Sequence, residues 1–369
     1  MHLLIVHPEI VVGGAEKMLE YFLPAISARS LRVTVAVAAG PLEAFIPRSV
    51  AKVVIPDHST FSIYNLIRQI RQLRQCHREQ PFDIVHGWAA RDWELTALFA
   101  RILGRPGLGT LHDHPAAYYI YARRRRLMRW AAAFGLRRVV CVSDAVRRAC
   151  EETGYRRQRL VTIHNGLPAV EPAARHLTSP STIQLGYIGG LTPGKGIEGL
   201  LEIIDKVAAR TSVEWELQVA GAPSTKQVET WLLELKRQYS QRPWWPRVTW
   251  LGWINRPFDF LKSLDLLLFT SSTFDSLPTV LLEAAWAGTP VLASAAGGAA
   301  EIVDHGRTGW LFAMGNWPEA AALLSHLLKE QNLLSVAGMA ARKQASEKFS
   351  VQKMVEDYEK LYLTLQSNG

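Results

Sequence analysis

Short apolar runs alternate along the chain with longer stretches in which apolar residues recur every three or four positions. The runs predict strands at Leu3–Val6, Val33–Ala38, Val53–Ile55, Asp83–His86, Leu108–Leu111, Arg138–Val142 and Leu160–Ile163. Amphipathic stretches between several of them predict helices at Ala15–Ala28, Ile63–Arg78 and Trp93–Leu103. This alternation is the pattern of βαβ units and a mainly parallel sheet. A Pro/Ala/Ser-rich stretch then breaks the series and predicts a linker over 171–182. A second series follows, with strands at Ile183–Ile188, Glu216–Val219, Val248–Leu251, Asp265–Phe269, Pro290–Ala293 and Trp310–Phe312. Its helices are predicted after Lys195, after Ser224, over Thr279–Ala287, and from Trp317 to the end. The expected fold is α/β: two doubly wound Rossmann-like domains, 1–170 and 183–350, with residues 351–369 as a helix returning to the first. Open parallel sheets bind ligands beyond the carboxyl ends of their strands, so a cleft between two such domains is the default site.

Composition narrows the classes. The 369 residues are 48% hydrophobic and 20% charged, which excludes a mainly disordered chain and suits two domains. No apolar run approaches the ~18 residues of a spanning helix, and the first residues read as a buried strand rather than a signal peptide. The three cysteines, Cys76, Cys141 and Cys150, form no C-x-x-C pair and fit a reducing, cytoplasmic compartment. Charge is uneven: residues 1–180 carry 25 basic and 14 acidic side chains, residues 181–369 carry 17 and 19. One domain is therefore expected to meet an anionic surface or polyanion.

Candidate chemistry gathers where strands meet helices. Gly13-Gly14-Ala15-Glu16 opens the first helix, and paired glycines at a helix start either let amides approach a phosphate or make a tight turn. In the second series a strand runs into Gly189-Gly190, then Gly194-Lys195-Gly196 and a helix; Lys195 reaches a phosphate there or is a surface lysine. This is neither a Walker A sequence nor a G-x-G-x-x-G fingerprint. Asp275 and Glu283 flank Ser276-Leu277-Pro278. If a helix starts near Pro278, Thr279 and Val280 carry unpaired first-turn amides, and Glu283 lies about one turn into an apolar helix. A carboxylate there needs partners, either sugar hydroxyls or a structural hydrogen bond.

The segment from Thr270 to Phe312 resembles the donor-binding signature of family-4 retaining glycosyltransferases, which have the GT-B fold. The acid-to-glutamate spacing is Asp275…Glu283, followed by AAWAGTPV, Gly297-Gly298-Ala299-Ala300-Glu301 and Gly306…Gly309-Trp310-Leu311. The Gly13–Glu16 loop, GTLHDHP, VCVSDAV and IHNGLP resemble the family's earlier motifs, so the likeness runs through the chain. It implies that the amides after Ser276-Leu277-Pro278, at Thr279 and Val280, hold the donor diphosphate together with Gly13 and Gly14. It implies that Lys195 neutralises the diphosphate, Glu283 binds the ribose, Asp275 contacts the sugar and His112 sits near the reacting sugar. It implies no cofactor beyond a nucleotide-diphosphate sugar donor and no metal; no D-x-D sequence occurs here. The family pattern G-R-L-x-x-x-K-G reads Gly189-Gly190-Leu191 and Lys195-Gly196, so Gly190 stands where the family has arginine, with Arg256 or Arg91 as candidate substitutes. Asp275 stands for the commoner glutamate.

The expected function is sugar transfer with retention to a glycan or lipid-linked acceptor in cell-envelope polysaccharide assembly. A sugar-nucleotide epimerase of this fold and a non-catalytic sugar-nucleotide or glycan-binding protein are the alternatives. Arg68, Arg71, Arg74 and Arg78 share one helix side near Ile63, Leu66, Ile67, Ile70 and Leu73. Tyr118, Tyr119 and Tyr121 precede Arg123–Arg126, Arg129 and Trp130. Aromatics with arginines suit peripheral contact with an anionic cytoplasmic membrane face or an anionic glycan, or else a solvated helix face over the core. No nucleic-acid partner is expected. Trp244, Trp245, Trp250 and Trp253 suit core packing or base stacking.

Overall fold

A computed structural model of the chain describes residues 1–9, 13–29, 31–57, 62–117, 120–170 and 182–367. The predicted linker falls almost wholly on 171–181, and Tyr118 and Tyr119 likewise lie outside the described residues. The chain divides into two compact units, one of Met1–Pro168 with Ser350–Gly369, the other of Ala169–Phe349.

Unit 1 contains seven parallel strands: β1 (His2–His7), β2 (Arg32–Val37), β3 (Ala51–Val54), β4 (Ile84–Gly87), β5 (Gly107–Leu111), β6 (Arg138–Cys141) and β7 (Leu160–Thr162). Their order is β3-β2-β1-β4-β5-β6-β7. Strand order thus reverses between β1 and β4, and the register pairs Val6 with Gly87, which sets His7 level with Trp88. Helices Gly14–Ser27, Pro41–Phe45, Ile63–Glu79, Trp93–Leu103, Ala122–Phe134 and Asp144–Glu152 connect the strands. β1 is buried along its whole length, as a strand covered on both faces must be.

Unit 2 contains six parallel strands: β8 (Thr182–Ile188), β9 (Glu214–Ala220), β10 (Val248–Gly252), β11 (Leu266–Phe269), β12 (Val291–Ser294) and β13 (Trp310–Phe312). Their order is β10-β9-β8-β11-β12-β13, so the reversal lies between β8 and β11. Helix Thr279–Ala287 starts where the sequence places it: Pro278 presets the entry, and Gly288 ends it at φ 76°. Trp244, Trp245 and Trp250 pack against the unit's core, with Trp244 Nε1 donating to Asp205 at 2.9 Å. Trp253 is exposed and is not part of that packing.

The helical pattern from Trp317 onward forms three helices, Trp317–Lys329, Gln331–Lys348 and Val351–Ser367. Non-helical backbone at Glu330 and Phe349 separates them, and at Phe349 the chain passes from unit 2 into unit 1. The last helix buries Val351, Met354, Val355, Tyr358, Leu361, Tyr362 and Leu365, a stripe of the 3.6-residue period. Phe22 of the first helix meets Tyr358 edge-on at 5.1 Å, and Arg29 pairs with Glu356 and Glu359.

Candidate active site

In unit 2, three strand ends build one constellation at the reversal of strand order. After β8 the chain turns at Gly194-Lys195-Gly196. The Gly196 carbonyl accepts from Thr270 Oγ1 at 2.7 Å, and the Gly194 carbonyl accepts from the Ser272 amide at 3.0 Å. A Cβ on Gly196 would stand 1.7 Å from the Thr270 carbonyl oxygen, so only glycine permits this approach. The turn is therefore tied to the end of β11, and it brings Lys195 Nζ to 3.1 Å from Asp275 Oδ2 across 80 residues of sequence. Both side chains keep solvent contact, so the pair itself adds little stability.

The segment Asp275–Leu277, which follows β11, rests against the Gly297-Gly298 turn that follows β12. Gly298 N–H donates to the Asp275 carbonyl at 2.8 Å. A Cβ on Gly297 would fall 2.0 Å from that carbonyl oxygen, and one on Gly298 2.2 Å from that of Ser276. The Gly-Gly pair thus fixes the backbone that leads into helix Thr279–Ala287. Leu277 and Pro278 are buried, and Pro278 has no N–H, so these two shape the helix start and cannot themselves grip a ligand by side chain. The first intrahelical bond runs from Leu281 N–H to the Pro278 carbonyl at 3.0 Å. Thr279 and Val280 precede it, and their amides belong to the first turn, the positive end of the helix. Glu283 lies half-buried between buried Leu282 and Ala284. Gly190 is exposed, with only Thr192 Oγ1 near the place of a Cβ, at 4.0 Å. The two candidate substitutes for the missing arginine hold carboxylates of their own: Arg256 pairs with Asp259 and Arg91 with Glu9.

In unit 1, His7, Trp88 and His112 stand at the carboxyl ends of β1, β4 and β5, which are neighbours in the sheet. The Trp88 and His112 rings lie 5.4 Å apart. His112 Nε2 is buried and has no hydrogen-bond partner among the described residues, while the ring bonds the Trp88 main chain. Burial, with His7 adding to it, pushes the His112 pKa down to about 4, so the ring is neutral near pH 7. Gly13 is not the free donor that the resemblance implies. Its N–H donates to Glu16 Oε2 at 2.7 Å, and that carboxylate disfavours an anion at the same amide. Gly14 faces open space: nothing lies within 4 Å of the place of its Cβ.

Sequence reading missed His7 itself. Its Nδ1–H donates to Asp92 Oδ2 at 2.7 Å and its Nε2–H to Glu16 Oε1 at 2.9 Å. It also missed His86, whose Nδ1 faces the Tyr362 hydroxyl and whose Nε2 faces Thr110 Oγ1, both at 2.8 Å. Burial pushes the His86 pKa down to about 3. A histidine ending an otherwise apolar strand was the available signal; its partners lie 85 and 276 residues away in sequence.

With this geometry in hand, comparison with known proteins is decisive. The profile of "Glycosyltransferase Family 4" matches residues 12–170, and that of "Glycosyl transferases group 1" matches 173–344. The chain belongs to glycosyltransferase family 4. Among similar proteins, the capsular polysaccharide biosynthesis glycosyltransferase CapM of Staphylococcus aureus is 22% identical over 84% of each chain. N-acetyl-alpha-D-glucosaminyl L-malate synthase of Bacillus anthracis is 35% identical, over 31% of this chain and 30% of that protein. Anabaena HepE, solved in complex with UDP, superposes with a TM-score of 0.84 at 20% identity, covering 99% of this chain and all of that one. S. aureus TarM superposes at 0.76 and 12% identity, over 98% and 99%. This glycosyltransferase therefore has the α/β fold of GT-B enzymes, and no helix among its described residues is long and apolar enough to cross a membrane.

Proposed function

We propose that this glycosyltransferase moves a sugar, with retention, from a nucleotide-diphosphate donor to a glycan or lipid-linked acceptor in cell-envelope polysaccharide assembly. The observation that carries the reading is Lys195 held against Asp275 beside the first turn of helix Thr279–Ala287, at the reversal of strand order in unit 2. Crevices beyond the carboxyl ends of parallel strands, where strand order reverses, receive nucleotides. Departure of the sugar leaves negative charge on the diphosphate. Lys195 and the Thr279 and Val280 amides stabilise that charge without a metal ion. Diphosphate binding draws Lys195 away from Asp275 and frees the carboxylate for sugar hydroxyls. Glu283 takes the ribose hydroxyls. Neutral His112 accepts a hydrogen bond from a sugar hydroxyl through Nε2. HepE is solved with UDP and with UDP-glucose, which makes these the probes of choice.

Calorimetric titration tests the assignment. Glu283→Gln is expected to weaken both UDP and UDP-glucose, and Asp275→Asn to weaken UDP-glucose more than UDP. A folded Glu283→Gln protein with unchanged affinities refutes the ribose role. Equal losses for both ligands in Asp275→Asn refute the division of labour. Product analysis with a donor alone separates transfer, which needs an acceptor, from epimerisation.

The acceptor side of the proposal rests on helix Ala122–Phe134, which contains no acidic residue. Its outer stripe shows Arg123, Arg126, Leu127, Trp130 and Phe134, with Trp130 57% and Phe134 69% exposed. Arg124 and Arg125 do not belong to that stripe: Arg124 pairs with Glu94 at 3.0 Å, and Arg125 Nε donates to the Ile120 carbonyl at 2.7 Å. Ile63 and Ile67, apolar neighbours of the Arg68–Arg78 side, are exposed as well. Aromatic and arginine side chains together suit peripheral contact at a cytoplasmic leaflet, where each arginine contributes about 1 kcal/mol. Sedimentation with anionic vesicles is expected to fall with salt and with Arg123→Ser/Arg126→Ser. Equal binding to neutral vesicles, or none to either, defeats this part.

A further inference from the structure

His7 has a setting that neither strand packing nor donor binding requires. Its side chain is fully buried, and each ring nitrogen faces a carboxylate, Asp92 on one side and Glu16 on the other. Carboxylates only accept at neutral pH, so both ring nitrogens donate and the ring is an imidazolium. Each carboxylate is fixed in turn by a backbone amide: Asp92 Oδ2 accepts from Ala89 at 2.8 Å, and Glu16 Oε2 from Gly13 at 2.7 Å. A further tie runs in parallel, from Trp88 Nε1–H to the Ala15 carbonyl at 2.8 Å. His7 thus links the loop after β4 to the first turn of helix Gly14–Ser27. Both segments border His112.

We propose that His7 is a positioning residue: clamped between Asp92 and Glu16, it locks the Gly13–Gly14 helix start to the Trp88–Asp92 loop and presents His112 as a hydrogen-bond acceptor to the substrate. The proposal rests on the reading that His112 meets the sugar. The groups acting on His112 come from every side of it. His7 at the end of β1 repels a proton there, Glu16 and the Trp88 main chain favour one, and His112 in turn disfavours a proton on His86 of β4. Asp92 acts through His7, and the neighbouring Asp113 accepts from the His114 amide. Burial works against the charged form of His7, but Asp92 and then Glu16 overcome it and raise its pKa to about 10. Burial first, and the charge of His7 after it, keep a second proton off His112, so Nε2 stays a buried lone pair with no hydrogen-bond partner among the described residues.

The test is histidine-selective NMR of the full chain, with His7 and His112 assigned by substitution among the 11 histidines. In the wild type, His7 is expected to remain an imidazolium beyond about pH 8, and His112 to remain neutral down to about pH 5. His7→Gln removes the charge and is expected to raise the His112 midpoint by about one pH unit or more, with the acid limb of UDP-glucose turnover moving alongside. His7→Lys, which keeps a cation between the carboxylates, is expected to restore both. A His112 midpoint unmoved in folded His7→Gln overturns the proposal. If that variant does not fold, wild-type His7 decides, because titration in the ordinary imidazole range overturns it equally. If the His112 midpoint moves while UDP-glucose affinity and turnover do not follow, the role of His7 stands and the placing of the sugar at His112 falls.

Discussion

Replacing Gly297 by alanine tests whether the Asp275–Leu277 loop is held by close backbone approach. Gly297 has φ 59°, a left-handed conformation that costs an alanine about 1 kcal/mol. Its Cβ would also stand 2.0 Å from the Asp275 carbonyl oxygen, where ordinary contact begins near 3.4 Å. That oxygen is backbone and cannot rotate away, so the Asp275–Leu277 segment must move, at about 1–3 kcal/mol. The sum is about 3 kcal/mol, or about 6–12 °C in the melting of a domain this size. Gly306 supplies the control: its φ is 77°, with nothing within 4 Å of the place of a Cβ. Gly306→Ala therefore carries the strain without the clash and is expected to cost about 1 kcal/mol. The assay is thermal unfolding of both variants with and without UDP, backed by calorimetric titration. Gly297→Ala is expected to bind UDP about tenfold or more weakly, a loss of about 1.4 kcal/mol, because the helix-start amides move with the loop. Gly306→Ala is expected to bind as the wild type does. Equal losses in the two variants, in stability and in UDP affinity, would refute the reasoning.

Gly190→Arg enters open space and restores a cation near the Lys195 turn; about tenfold tighter UDP binding is expected, and unchanged affinity would mean that position 190 does not face the diphosphate. Acid should weaken unit 1. His86 and His112 are held neutral, with pKa values lowered to about 3 and about 4, so protons favour the unfolded chain as pH falls below about 6.5. Each costs about 2 kcal/mol by about pH 5, and a urea midpoint of unit 1 that is flat from about pH 7 to about pH 5 contradicts this. His7 runs the other way: raised to about 10, its contribution is complete below about pH 6.5 and is lost as pH climbs through the folded value, which alkaline melting measures. Tyr362→Phe strips His86 Nδ1 of its partner in the core and is expected to cost about 1–3 kcal/mol, read as a lower melting temperature with UDP affinity unchanged.

Local signals carried most of the architecture. A strand covered on both faces is a short apolar run, and Pro278 and Gly288 punctuate helix Thr279–Ala287 unambiguously, so such elements can be read without partners. Helix Ala122–Phe134 was not read as an element, because its arginine run and exposed Trp130 and Phe134 blur the apolar period. The separation of helices Trp317–Lys329 and Gln331–Lys348 at Glu330 was hidden for a different reason: the pattern on either side is helical, with no glycine or proline between them. At the site, Asp275 and Glu283 stand out because their spacing is fixed along a short stretch of chain, and Lys195 because it sits between two glycines just before a helix. The His7–Asp92–Glu16 and His86–Thr110–Tyr358–Tyr362 networks leave no such trace. Each is assembled by strand order, which joins residues far apart in sequence.

Unit 1 is written in two pieces, with all of unit 2 between them. On the ribosome its seven strands emerge before unit 2, yet the helix carrying Tyr358 and Tyr362 emerges after it. At about 5–20 residues per second, the intervening 181 residues of Ala169–Phe349 take on the order of 10–35 seconds to synthesise. During that interval Phe22, His86 and Thr110 have no aromatic cover from the final helix. Unit 2 has no such wait, since its whole sequence is contiguous. Unit 2 can therefore close while unit 1 is still an open sheet, and a helix translated after unit 2 seals strands translated before it.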